Sequence, residues 1–121
     1  MTIGEFSAVT GMSAYTLRYY EKKGLLRADR DSIGRRDYHA DDIEWVSFIR
    51  RLKETGMLLR DIQYYSSLRY QGDSTMRERM ELLIQHRKFV VEEQKKWEEY
   101  LRNLDEKISI YQKRIGADSS V

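Results

Sequence analysis

The chain of 121 residues has no cysteine, no proline, two histidines and no apolar run long enough to cross a membrane. Each absence removes a class of function. Without cysteine there is no disulfide framework, no thiolate nucleophile and no thiolate sensor. Without proline, long helices meet no obligatory break. His39 and His86 are 47 positions apart, and a lone His is more often a surface or satisfied residue than a ligand, so neither a metal centre nor an acid–base pair is expected. The absence of a spanning run excludes a transmembrane helix. The N-terminus also carries a helix-capping pattern where a signal peptide would have an apolar core, and this reading places the protein in the cytoplasm. No internal repeat or low-complexity segment is found beyond the polar residues after Gly116. The acidic pairs Glu92-Glu93 and Glu98-Glu99, interspersed with Lys95, Lys96 and Arg102, read as a solvated helix face. An enzyme, a cofactor and a metal are all unexpected.

The most informative stretch present is 16 to 26, Thr-Leu-Arg-Tyr-Tyr-Glu-Lys-Lys-Gly-Leu-Leu. Tyr15, Arg18, Tyr19 and Lys22 fall at i, i+3, i+4 and i+7, so one helix face offers cations for phosphates, a guanidinium for base edges and phenol hydroxyls. Ala14 and Leu17 face inward, and Tyr20 lies between the two faces. Upstream, Thr2-Ile3-Gly4-Glu5 has the spacing of a capping box, and Ile3, Phe6 and Val9 mark an apolar stripe, which predicts a first helix of about two turns. Gly11 supplies a turn and Ser13 an N-cap, giving a helix-turn-helix. Downstream of Gly24, Arg27 to Tyr38 alternates charge with turn formers and predicts a short two-stranded wing. Between residues 17 and 36 there are seven Lys or Arg and three acids, a net of +4, whereas the whole chain is only +2. Positive charge is concentrated where these elements would meet a phosphate backbone. A third helix is expected from Ala40 to Thr55, ended by Gly56, and a fourth from Leu59 to Leu68, broken at Tyr70 to Asp73.

These ordered motifs resemble the MerR-type transcription regulators: Ile3 to Glu5, Thr16 to Glu21, Gly24 to Leu26, Arg36 to Tyr38 and Leu52 to Gly56. The resemblance covers roughly residues 1 to 70 and is far more specific than any one motif. It implies base or phosphate contacts from Tyr15, Arg18, Tyr19 and Tyr20, and phosphate contacts from Arg35, Arg36 and Lys53; Thr16 and Lys22 complete the candidate DNA-binding set. Two departures stand out. The family commonly has Tyr before the wing arginine and Pro after the double leucine, where this chain has Arg35 and Arg27-Ala28. Lys53 to Met57 looks like the subgroup associated with thiol or carbonyl stress, yet a thiol mechanism is excluded by composition.

From Met76 to Ile115, twelve positions recur at spacings of three and four, and ten are apolar or aromatic; Arg87 and Gln94 are the exceptions. As one helix, these 40 residues would reach about 60 Å and would be too narrow to bury themselves alone. The seam predicts a coiled coil with a second copy, carried by Leu83, Val90, Gln94, Trp97, Leu101, Leu104 and Ile108. The resemblance implies antiparallel pairing; a two-fold centre between Lys95 and Lys96 sets Leu83 against Ile108, Val90 against Leu101 and Gln94 against Trp97.

The expected architecture is therefore mostly α: a winged helix-turn-helix over 1–73, a dimerisation helix over 74–115 and a flexible tail over 116–121. The expected partners are double-stranded promoter DNA, a second copy and, by resemblance, RNA polymerase. Three uses remain open, one of them an interaction module whose coil serves a different protein. A small-molecule effector can bind among Tyr64, Tyr65, Tyr70 and Phe89, beside Trp97, and shift the dimer between geometries. Alternatively, the protein is an architectural DNA-bending protein or a repressor, with no effector.

Overall fold

The computed structural model of the chain describes residues 1–119, with side-chain environments through 117. Its elements are α1 (Ile3–Thr10), α2 (Ala14–Lys22), β1 (Asp29–Arg30), β2 (Arg36–Asp37), α3 (Ala40–Glu54), α4 (Leu59–Gln71), a 3-10 turn (Asp73–Thr75) and α5 (Met76–Ser119). The fold is mostly α: a winged helix-turn-helix followed by a long helix.

Local signals set the first two helices. At the start of α1 the Thr2 hydroxyl accepts from the Glu5 amide at 3.2 Å, and Glu5 accepts from the Thr2 amide at 3.2 Å. Both orphan donors are satisfied reciprocally. At the start of α2, Ser13 Oγ accepts from the Thr16 amide at 3.1 Å. The turn between them is fixed from within, because Ser7 Oγ donates to the Met12 carbonyl and Thr10 Oγ1 accepts from the Met12 amide.

Phe6, Leu17, Leu25, Leu26, Val46, Ile49 and Ile62 are essentially inaccessible and form the centre of one core. Its aromatic members are ordered by stacking. Phe6 and Tyr38 lie parallel with ring centroids 4.3 Å apart, and Trp45 stacks on Tyr65 at 5.7 Å. The indole of Trp45 also donates to the Leu25 carbonyl at 2.8 Å, tying α3 to the exit from α2.

Three boundaries differ from those read in the sequence. Helix α4 continues through Tyr70 to Gln71, and Gly72 ends it at φ 106°, ψ −166°, a backbone region that is essentially glycine-only. The first compact unit runs to Leu83 instead of stopping at residue 73, because Leu82 and Leu83, on the first turns of α5, pack against its core. The joint is fastened by Thr75, whose buried hydroxyl donates to the Leu68 carbonyl at 2.6 Å and accepts from Arg79 Nε at 3.1 Å. Finally, the flexible tail expected over 116–121 is helical through Gly116 as far as Ser119, and residues 120 and 121 lie outside the described ones. A glycine costs about 1 kcal/mol in a helix interior, too little to stop so long a helix.

Candidate nucleic-acid interface

Helix α2 is held by its ends. After Lys22 the chain turns through Gly24 at φ 76°, which lets the Leu25 amide reach back to the Tyr20 carbonyl at 2.9 Å. Gln63 Nε2 of α4 donates to the Lys23 carbonyl at 2.9 Å. With its C-terminal end fixed against α3 and α4, the helix presents a defined outer face. Tyr15 is 79% exposed, and Arg18 and Lys22 are exposed. Tyr19 is half-buried, with the ammonium groups of Lys53 and Lys23 lying 5.4 and 5.8 Å from its ring centre. Two cations thus gather beside one phenol, an arrangement suited to a phosphate.

Two members of the candidate DNA-binding set are placed otherwise than expected. Tyr20 is 2% exposed and belongs to the core; burial raises its pKa, and it is too enclosed to reach a phosphate. The reason is helical geometry: it lies three positions after the buried Leu17, on the same face. Thr16 is half-buried, and its hydroxyl accepts from Ser13 Oγ at 2.9 Å, so it serves the cap.

The wing is a two-residue ladder, Asp29 opposite Asp37 and Arg30 opposite Arg36. Asp31 closes its turn. One carboxylate oxygen accepts from the Ile33 and Arg35 amides at 3.0 and 2.9 Å, and the other from Arg35 Nε at 3.1 Å. The Arg35 amide is the main reason that the Asp31 carboxyl is held below its ordinary pKa. Gly34, at φ 82°, completes the bend. Arg30 and Arg36 are like charges directly across the ladder, an arrangement unfavourable in isolation and relieved by any anion they share.

Glu21 is the residue whose role sequence reasoning missed. It sits on α2 as an acid among cations, and its side chain is only 14% exposed. One oxygen accepts from Arg36 Nε at 2.7 Å and the other from the Tyr38 hydroxyl at 2.7 Å. A carboxylate thereby couples α2 to the wing. Burial, followed by this hydrogen bond, pushes the Tyr38 phenol well above its usual range, and the Glu21 carboxylate raises Arg36 further. Arg36 is therefore partly committed inside the protein, while Arg35 remains 70% exposed. The sequence did carry a signal: an acid within a cationic helix face needs a partner.

The four candidate effector residues have different local surroundings. Tyr64 is exposed and donates to Glu78 at 3.2 Å. Tyr70 accepts from the Arg27 amide at 2.9 Å, with the Arg27 guanidinium 4.6 Å above its ring. Phe89 belongs to the second unit. Only Tyr65 lines the open cavity of about 690 Å³ in the first unit, together with Asp41, Glu44, Trp45, Phe48, Arg51, Arg69, Arg79 and Leu83. Trp97 is likewise in the second unit.

That second unit is the remainder of α5, from Ile84 onward. Trp97, Leu101, Leu104 and Ile108 are 69, 58, 60 and 53% exposed, and Tyr111 and Ile115 are also exposed, all on the seam. Gln94 is exposed and Val90 half-buried on the same stripe. Leu83 is the seam member placed elsewhere, since it packs on the first unit's core.

Comparison with known proteins adds an independent line. The family model described as MerR HTH family regulatory protein matches residues 1–67. An uncharacterised HTH-type transcriptional regulator of Haemophilus influenzae is 40% identical over 104 residues, covering 85% of this chain and 77% of that protein. The HTH-type transcriptional regulator AdhR of Bacillus subtilis is 34% identical over 93 residues, 76% of this chain and 66% of its own length. Among solved structures, HiNmlR, described as a MerR family regulator lacking the sensor domain and bound to promoter DNA, superposes with a TM-score of 0.80 at 38% identity, over 93% of this chain and 90% of that one. A MerR family regulator from Listeria monocytogenes gives 0.86 at 34% identity, over 93 and 86%.

Proposed function

The chain belongs to the MerR HTH family of regulatory proteins and is a transcription regulator of that family, and from that premise we propose that it acts as a homodimer that binds a palindromic promoter operator, then bends and untwists it for RNA polymerase. The observation that carries the reading is the basic face of α2, with Tyr15, Arg18 and Lys22 outward, joined to a basic wing through Glu21. HiNmlR, similar over nearly all of this chain, is bound to promoter DNA, which supports the same target here.

The exposed seam supports the dimer. A helix with Trp97, Leu101, Leu104 and Ile108 all in water is stable only once that stripe is covered, and a second copy offers the matching stripe. Antiparallel pairing about Lys95 and Lys96 joins two identical DNA-binding units by a two-fold axis, so the operator shares that symmetry. Deforming the duplex between the half-sites costs energy that depends on its sequence, which gives specificity at base pairs no side chain touches.

The signal is not a thiol reaction. A second reading, in which the dimer bends DNA with no effector, is favoured by the structural bonds that already occupy Tyr64 and Tyr70, and by the absence of a sensor domain in the similar HiNmlR. Thermal shift against a metabolite extract separates the two, because a ligand preferring the folded dimer raises its melting point. The DNA-binding reading itself is tested by mobility shift. The wild-type protein should select a symmetric duplex from a random pool, and Arg18→Ala should lose 10-fold or more of the affinity for it, about the value of one bidentate base contact. Equal retention of random and selected duplexes by the wild type would overturn it.

A further inference from the structure

The open cavity of the first unit is lined by charges of both signs that the protein leaves unpaired. Along α3, Glu44, Phe48 and Arg51 fall at i, i+4 and i+7, so one stripe presents an acid, an aromatic ring and a cation in that order, and Asp41 extends the acidic end. The lining is apolar between these charges: Trp45 and Tyr65 are buried and stacked on one another, and Leu83 of α5 is half-buried. Arg79 is already committed, its guanidinium donating to the Thr75 hydroxyl at 3.1 Å and the Gly72 carbonyl at 3.2 Å. Asp41, Glu44, Arg51 and Arg69 are different. Among the described residues none of these four side chains joins an ion pair or a hydrogen bond, and Arg69 only rests its guanidinium on the Trp45 ring, 4.4 Å from the centre.

These charges select the ligand by elimination. A simple anion meets the acids, an organic cation meets the arginines, and a neutral molecule strips water from both without replacing it. A zwitterion with an apolar middle answers all of them. Its length follows from α3: Glu44 and Arg51 are seven residues apart, about 10 Å at 1.5 Å per residue, and three extended amino-acid residues span about the same distance. The cavity volume of about 690 Å³ lies inside the range of roughly 300–1,000 Å³ that takes ligands of this size. We propose that this cavity binds a short zwitterionic peptide of about three residues, with its ammonium at Asp41 and Glu44, its carboxylate at Arg51 and an apolar side chain against Phe48 and Leu83. The Arg69 guanidinium, backed by Trp45, has N–H groups left for the peptide carbonyls. The bound peptide is the non-thiol signal, and that role rests on the DNA-binding reading above.

The experiment uses the full chain and the tripeptide Ala-Phe-Ala, titrated by calorimetry without DNA. The free tripeptide should bind, and acetylating its N-terminus or amidating its C-terminus should each weaken binding about fivefold, the size of an exposed charge contact. Two variants assign the ends. Glu44 and Arg51 are exposed and unpaired, so Glu44→Gln and Arg51→Gln leave the fold intact. Glu44→Gln should bind the free and acetylated peptides equally while still favouring the free over the amidated one, and Arg51→Gln should do the reverse. No binding at millimolar peptide, equal binding of the free and blocked forms by the wild type, or binding of phenylalanine alone as tightly as the tripeptide overturns the proposal while the operator reading stands. Mobility shift with the duplex that the wild type selects from a random pool then tests the signal. Saturating Ala-Phe-Ala should change the affinity for that duplex at least several-fold or alter the mobility of the complex, and an unchanged complex overturns the signalling role. Failure of the wild type to select any duplex would bring down the parent reading and the signal with it, whereas the calorimetric result, obtained without DNA, decides the site on its own.

Discussion

Replacing Glu21 by glutamine keeps the shape of the side chain and removes its charge, and so isolates the carboxylate that joins the recognition helix to the wing. Glu21 is 14% exposed and Arg36 32%, and both bonds are 2.7 Å long. The glutamine amide has one oxygen for two donors, and its NH2 then faces either the Arg36 guanidinium or the Tyr38 hydroxyl. A hydrogen bond to a charged group is worth roughly 1.5–3 kcal/mol. The Arg36 bond is discounted for its partial exposure, so Glu21→Gln should destabilise the chain by about 2–3 kcal/mol. Tyr38→Phe should cost about 1–2 kcal/mol, because it removes one bond and leaves the Phe6 stack intact. The pair is not independent: once glutamine is present, Tyr38→Phe should cost about 1 kcal/mol less than it does in the wild type. Urea unfolding followed by far-UV circular dichroism, at one fixed protein concentration because an oligomer's midpoint depends on it, measures all four corners of this cycle. A Glu21→Gln variant within 0.5 kcal/mol of wild type, or strictly additive changes, would refute the bridge. The phenol adds a pH signature. A folded-state pKa raised above the ordinary value of 10.0 contributes stability that is complete below pH 10 and is lost as pH rises beyond it. Tyr38→Phe should flatten that alkaline decline, and an unchanged alkaline limb would count against the geometry.

The wing turn has the opposite sign. The Asp31 carboxyl, lowered from 3.8 chiefly by the Arg35 amide, supports the turn above that value and loses it as pH falls through its folded pKa, so the Ile33 and Arg35 amide resonances should titrate together below pH 3.8. Separate midpoints, or a common one above 3.8, would rule out the shared carboxylate. On the long helix, Leu101→Asp combined with Leu104→Asp should leave a monomer at micromolar concentration by sedimentation, since the dimer would lose four Leu contacts worth roughly 2 kcal/mol each. For the register, cysteines placed singly into this cysteine-free chain at Val90 and Leu101 and mixed as heterodimers should crosslink far better than a 90–90 pair, and the reverse preference would exclude antiparallel pairing.

How much of this was legible in advance follows the range of the interactions. Thr2 with Glu5, Ser13 with Thr16 and the turn at Gly24 are contacts within five residues, and they define α1 and α2 from composition and spacing alone. The outward Tyr15, Arg18 and Lys22 follow from the same periodicity. Tyr20 shows how a residue type can mislead: a phenol is equally suited to a phosphate or a core, and its place three positions after Leu17 puts it in the core. Glu21 needed partners 15 and 17 residues away, and no local pattern gives that distance. The candidate effector aromatics are ambiguous for a related reason. Stacking of Tyr65 on Trp45 and capping of Arg27 by Tyr70 are ordinary structural uses, and sequence records the aromatic without recording what lies on its face. The long helix was the reverse case, legible because a single helix has only its own period to obey. Leu83, expected on the dimer seam, packs instead on the first unit's core, because there the helix still lies within that unit. Residues whose roles depend on one helix's geometry are thus readable from the chain, whereas those coupling two elements, with Glu21 foremost, become visible only once the elements are packed. In the operator complex proposed above, Glu21 is also the residue that would pass a distortion of DNA at the wing to α2. A variant such as Glu21→Gln should therefore alter operator deformation more than the phosphate contacts themselves.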